Sequence, residues 1–348
     1  MVDNAIKELS INIHPRTMVI SDLDCSSGAN TLLFIYVAIA AINGNPTNII
    51  KGCPMEVQFF LNDLANNDFN QIFQSLEQFE QLTAEICSLK GLQPPPQYIA
   101  GVPGFFYNRL FPCKSVHLFH SSFGLMWLSQ VPKHLDGNMN EGNIHIGEIT
   151  LLSVAKLYQN QFEKDFSWFL QMRCKELVPG GRMVLTVLAR KCKDMRDDNA
   201  LEVLSKALHT FVAKGRVEKK KLDSFNVPMY LPSAEELKQL VQKSELLDIT
   251  NIHLVSTSWN RIEDDDSEST EEEVTAPVVD GVTAAQAASK SISMSLRAVL
   301  ESLITSHFGE TIVNDLFEEF ACNISSHIES EVEKKILTII SIFLRARQ

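Results

Sequence analysis

Four short runs rich in apolar residues, Thr17 to Leu23, Val57 to Leu61, Val116 to His120 and Arg182 to Leu188, alternate with stretches of helical patterning such as Thr31 to Ile42 and Asp68 to Leu89. Strands that alternate with helices point to an α/β chain whose strands lie parallel and are joined by right-handed crossovers. Ligands of such sheets bind outside the carboxyl ends of the strands. What stands at those ends therefore carries most of the functional information.

The rest of the chain can be read against that alternation. Ile144 to Leu177 is mostly helical in pattern and ends at the breaker Pro179-Gly180-Gly181, before the strand RMVLTVLA. Ser233 and Glu236 have the spacing of a capping box ahead of a helix, and Leu247 to Val255 follows as a strand. Helical patterning resumes at Ser291, and ILTIISIFL close to the C-terminus fits either a helix or a last buried strand.

The 348 residues carry a net charge of -12, and eight acids fall within Glu263 to Glu273, a run that reads as a solvated loop. No basic patch for nucleic acid is present, so nucleic-acid binding is excluded as an expectation. No apolar run approaches the roughly 18 residues of a membrane span, and none has the form of a leader. Seven widely spaced cysteines without a CxxC pair read as reduced thiols, which implies a soluble, cytoplasmic protein.

The stretch VISDLDCSSGANT, residues 19 to 31, closes the first strand with Asp22. A dinucleotide turn would need G-x-G-x-x-G, and only Gly28 is available, which argues against an oxidoreductase and a bound pyrophosphate. Asp22 either meets a cationic or hydrogen-bond-donating ligand or caps the helix that follows. The second strand ends in Asp63, placed to accept from both hydroxyls of a ribose. Two acids on strand ends with no phosphate loop suit a nucleoside that carries a cation, as S-adenosylmethionine does.

Six blocks in order carry a likeness: VISDLDCSSGANT, FFLNDLANNDFNQIFQSL, GVPGFFYNRLFP, SVHLFHSSFGLMWLSQVP, PGGRMVLTVLAR and LDSFNVPMYLPSAEE; LRAVLESLITSHFGETIVNDLF follows toward the C-terminus. Together they resemble the plant SABATH methyltransferases, the salicylate, benzoate, jasmonate and caffeine-pathway family of plant secondary metabolism. The resemblance implies a class-I S-adenosylmethionine-dependent methyltransferase sheet, Rossmann-like, with a helical cap. It divides the chain into a core at 1–190, cap helices at 191–235, a core helix and strand at 236–261, an acidic loop and cap at 262–320, and a C-terminal core element at 321–348.

Carried over by position, the resemblance places S-adenosyl-L-methionine on Asp22, on Asp63 with Leu64 beside it, and on Gly104, Phe105 and Phe106 at the adenine edge. The acceptor wall falls on Phe123, Met126 and Trp127, with Leu201 near a family aromatic. A Mg2+ site would fall on Asn140, Asp223, the Phe225 carbonyl and Asn226, where a structural polar knot is the alternative. The implied reaction is carboxyl methylation of a small plant acid in a homodimer, with no catalytic residue beyond orientation by Trp127. Met126 favours salicylate-like over purine acceptors.

Three residues depart from the family pattern: Asp24 replaces a glycine of D-x-G-C-S-S-G, Phe105 a serine and Phe123 a tyrosine. The resemblance also implies a covering segment ahead of Val2, which this sequence does not show. From these departures follow an expectation of weak cofactor binding and the alternative of a weakened paralogue acting as a binding or heterodimer partner.

Overall fold

The computed structural model describes residues 2–43, 49–50, 53–133, 140, 142–147, 150–190, 200–258, 284–330 and 336–347. The acidic run from Glu263 to Glu273 lies outside the described residues. The chain runs α1 (Val2–Ile13), β1 (Thr17–Leu23), α2 (Ala29–Asn43), β2 (Ile49–Ile50), β3 (Cys53–Pro54), β4 (Glu56–Asp63), α3 (Phe69–Leu89), β5 (Gln97–Pro103), β6 (Val116–Ser122) and α4 (Leu152–Glu176). It continues through β7 (Leu177–Ala189), α5 (Ala200–Ala213), α6 (Lys219–Ser224), α7 (Ala234–Ser244), β8 (Leu247–Ser258), α8 (Ala284–Phe308), α9 (Val313–Ser330) and β9 (Ile336–Ala346).

The main sheet has the strand order β5-β4-β1-β6-β7-β9-β8. The first five strands are parallel, whereas β9 inserts antiparallel between β7 and β8. The expected parallel sheet is therefore a mixed one. ILTIISIFL resolves as this last strand: its register pairs Ile340 with Val187 on one side and with Leu254 on the other.

Residue types explain the positions. β1 is central, and five of its six residues from Met18 onward are apolar or small, with Met18, Ile20 and Leu23 fully buried; a strand covered on both faces needs such a run. The α3 N-terminus is capped by Asp68, whose side chain accepts from the Gln71 N–H at 3.3 Å. The capping box of α7 forms in both directions, with Ser233 N–H donating to Glu236 at 2.7 Å and Glu236 N–H to Ser233 at 3.3 Å. The Pro179-Gly180-Gly181 breaker ends no element, because β7 passes through it in a bulge that shifts the β6 register between Val116 and Leu118. Gly181 is required there, since a Cβ would lie 2.9 Å from the Val178 carbonyl oxygen.

Three apolar clusters organise the molecule. One packs α4 and α7 on one face of the sheet around Tyr158, Phe162, Phe166 and Phe169, and a second packs α1 and α2 on the other face around Ile6, Leu9 and Ile35. The third lies above the strand ends and is built from α5, α6, α8 and α9, with Leu204, Phe211, Leu300, Ile304 and Phe320 at its centre. Arg190, just after β7, ties α7 and the segment before it to the sheet: it pairs with Glu236 at 2.6 Å and donates to Tyr230 at 2.8 Å and to the Leu231 carbonyl at 2.7 Å.

Candidate active site

β1 has β4 on one side and β6 on the other: the chain adds β4 and β5 outward on one side, then returns to add β6 and β7 on the other. This is the switch point at which such sheets open a crevice. Asp22 and Asp63 stand at the carboxyl ends of β1 and β4, as the sequence reading expects. Asp22 is buried; one of its oxygens meets His120 Nδ1 at 2.7 Å and the other accepts from the Thr31 hydroxyl at 2.7 Å. Thr31 lies in the first turn of α2, so Asp22 does fasten that helix. His120 was not legible as a site residue, because one histidine in an apolar strand has the same pattern as a satisfied core residue; it stacks on Phe34 with ring centroids 4.0 Å apart.

Asp63 accepts from the backbone N–H groups of Ser26 and Leu64, both at 2.7 Å. These bonds bind the turn after β1 to the end of β4. Burial raises the Asp63 carboxyl above the ordinary carboxylate range, the two backbone bonds oppose that rise, and the charge of Asp22 adds to it. Leu64 is exposed beside it.

The turn itself is unusual. Asp24 and Ser26 take left-handed backbone conformations at φ 63° and 55°, and the Cys25 N–H donates to the Asn62 carbonyl at 3.0 Å between them. Such conformations cost non-glycine residues of order 1 kcal/mol each and concentrate at functional sites. Gly28 has open space around it where α2 begins.

Gly104, Phe105 and Phe106 follow β5. The Gly104 N–H donates to the Asp63 carbonyl at 2.8 Å, and Phe105, Phe106 and Tyr107 form a mutual aromatic cluster. A buried pair beneath them, Arg173 with Glu176 at 2.9 Å, was also not foreseen from sequence. Arg173 donates to the carbonyls of Phe106 and Asn108, while Glu176 accepts from the N–H groups of Leu110 and Phe111. The loop after β5 is thus rigidified from the core side.

Phe123 to Trp127 cross over from β6. Phe123 has φ 62° and is partly exposed, whereas Met126 is buried in the upper cluster together with Leu201. Trp127 is held through its backbone: its carbonyl accepts from the Tyr107 hydroxyl at 2.8 Å, and it bridges to Met229. Of the residues expected at the acceptor wall, Met126 and Leu201 share one buried cluster with Trp127 packed against it, whereas Phe123 lies outside it. Asn140 donates to Asn226 Oδ1 at 3.0 Å, and the same oxygen accepts from Tyr158 at 3.4 Å. Asp223 pairs with Lys219 at 2.6 Å, leaving its Oδ1 buried without a partner, and Phe225 packs in the upper cluster. No group of three or more His, Cys, Asp and Glu side chains poised for a metal occurs among the described residues.

The arrangement sets acids at the ends of β1 and β4 beside the aromatic cluster that follows β5. The family model described as SAM dependent carboxyl methyltransferase matches residues 1–346. Benzoate O-methyltransferase of Zea mays is 41% identical over 364 residues, covering 99% of this chain and 91% of its own length. Anthranilate O-methyltransferase 2 of the same plant is 37% identical, covering 98% and 89%. Among solved structures, a loganic acid methyltransferase with SAH superposes with a TM-score of 0.79 at 27% identity, over 100% of this chain and 91% of that one. The partner-only alternative gains no support from these likenesses. The chain belongs to the S-adenosylmethionine-dependent carboxyl methyltransferase family.

Proposed function

We propose that this chain methylates the carboxylate of a small aromatic or related plant acid, of the benzoate and salicylate type, with S-adenosylmethionine held by Asp22, Asp63, Leu64, Gly104, Phe105 and Phe106. The observation that carries the reading is the pair of acids at adjacent strand ends of the switch point, joined by the Ser26 turn. When bound, S-adenosylmethionine supplies an electrophilic methyl group on a sulfonium.

The protein's own part is placement. A carboxylic acid with a pKa of about 4 is already the nucleophile at neutral pH, so no side chain need remove a proton. Alignment of the two reactants can supply up to roughly 7 to 11 kcal/mol of barrier reduction. The Trp127 indole N–H, a donor only, suits the orientation of one carboxylate oxygen. Phe123, Met126 and Leu201 supply apolar walls that select a flat, apolar acid over a polar one. The relatives' names, benzoate, salicylate, anthranilate and jasmonate methyltransferases, support this substrate class.

Magnesium fits less well. Its support is the unpartnered Asp223 Oδ1, while the Asn140 and Asn226 side-chain oxygens already accept from Thr150 and from Asn140 and Tyr158, as in a structural polar knot. No step is routed through a metal. A homodimer and a cytoplasmic setting extend the same family reading. Asp63 provides the test: charge-assisted hydrogen bonds are worth roughly 1.5 to 3 kcal/mol each, so Asp63→Ala should weaken S-adenosylmethionine binding tenfold or more by titration calorimetry. An unchanged dissociation constant in a folded variant would remove Asp63 from the cofactor site.

A further inference from the structure

Asp24 has a side chain that the proposed reaction leaves unused. It stands in the turn between Asp22 and Asp63 and packs against Gly124, in the segment after β6: a Cβ placed on Gly124 would lie 2.7 Å from Asp24 Cβ and 2.9 Å from its Oδ2. Asp22 is engaged by His120 and Thr31, and Asp63 by two backbone N–H groups. Among the described residues, no donor or cation meets the Asp24 carboxylate. It therefore lies where the turn assigned to the cofactor meets the segment assigned to the acceptor wall.

We infer that Asp24 is a charge-selecting residue of the cofactor site, favouring the cationic donor S-adenosylmethionine over its neutral product S-adenosylhomocysteine. The inference rests on the cofactor assignment above. The two molecules differ by one methyl group and one positive charge, and they share the adenosine, the α-amino group and the carboxylate. Any residue that reads only the shared groups binds both alike. A carboxylate beside the sulfur favours one of them, and it loses its counter-charge when the methyl leaves, so product release is assisted.

The groups facing Asp24 are Asp22 and Cys25 from β1 and its turn, Asp63 from β4, Tyr107 after β5 and the backbone of Gly124 after β6. His120 reaches it only through Asp22. Burial, reinforced by the charges of Asp63 and Asp22, raises the Asp24 carboxyl to about 7. Without a ligand it is then largely protonated below that pH, and an incoming cation favours its ionisation.

The experiment is calorimetric titration of the full chain with S-adenosylmethionine and separately with S-adenosylhomocysteine, for the parent, Asp24→Asn and Asp24→Gly. Asn keeps the shape and tolerates the left-handed backbone; Gly removes the side chain altogether. At pH 8.5 the parent should prefer the methylated form, and both variants should lose about tenfold of that preference, which is about 1.4 kcal/mol. The parent's preference should shrink toward pH 5.5, while that of the variants stays flat. Equal changes in affinity for the two ligands would mean that Asp24 reads a shared group or only shapes the turn, and would overturn the inference alone. Failure of the parent to bind either ligand would overturn the cofactor assignment and the inference with it.

Discussion

Gly124→Ala tests the contact between Asp24 and the segment after β6. The added methyl would come within 2.7 Å of Asp24 Cβ, a distance that real carbon pairs do not hold. The obstructing atom is not the end of a flexible chain. It is fixed to a backbone at φ 63° that the neighbouring Cys25 N–H ties to the Asn62 carbonyl at 3.0 Å. Overpacking of this kind costs about 1 to 3 kcal/mol, and about 2 kcal/mol is expected here. Asp24→Gly alone should stabilise the ligand-free fold, because it relieves about 1 kcal/mol of left-handed strain. The double variant removes the clash, so the two changes should couple by at least about 1 kcal/mol in urea unfolding with an unchanged slope. Additivity within about 0.5 kcal/mol would show that Asp24 and Gly124 do not touch, and would remove the basis for placing Asp24 beside the segment assigned to the acceptor wall.

Three further outcomes are expected. Trp127→Phe should keep the packing against the upper cluster and the Tyr107 bond to its carbonyl, yet lower turnover on every acid with cofactor affinity little changed; an equal loss of cofactor binding would make Trp127 a core residue. Asp24 has a folded-state pKa raised from 3.8 to about 7, so it lowers stability progressively as pH rises through that interval. Asp24→Asn should therefore stabilise the ligand-free protein at pH 8, by up to about 4 kcal/mol at about 1.36 kcal/mol per unit, and not at pH 3, as read from unfolding midpoints. Burial works against the Glu236 charge, but Arg190, the Ser233 N–H and Tyr230 hold its carboxyl below the usual range. Its stabilisation is thus present above about pH 4.5 and is lost as pH falls through the depressed value. Glu236→Ala should cost about 3 kcal/mol at neutral pH and less in acid, measured by the same melts.

The likeness between sequence and structure is uneven for physical reasons. β1, β4 and β6 were legible because central parallel strands are buried on both faces and must read as apolar runs. β5 was not: Gln97 to Pro103 is an edge strand with only intermediate and exposed positions, and its Ala, Gly and Pro give no periodic signal. ILTIISIFL could not be assigned from its own pattern, since its strand character comes from pairing with β7 and β8, far away in the chain. The helix over Ile144 to Leu177 begins only at Leu152, as the residues before it are spent on contacts such as the Val227 N–H to the Ile144 carbonyl at 2.7 Å. In the site, Asp22 and Asp63 announced themselves as acids ending apolar strands. His120, Arg173 and Glu176 did not, because their partners are fixed only once the sheet and α4 have folded against each other.

The most direct test of the central claim is methyl transfer itself, with S-adenosylmethionine labelled in the methyl group and benzoate, salicylate, anthranilate and jasmonate offered in turn. Carboxyl methylation predicts an extractable product whose label is released by mild alkali as methanol, as an ester requires, with at least one of these acids and with Trp127→Phe much slower. Label retained in an alkali-stable product, or a chain that binds S-adenosylmethionine yet methylates none of the acids, would contradict it.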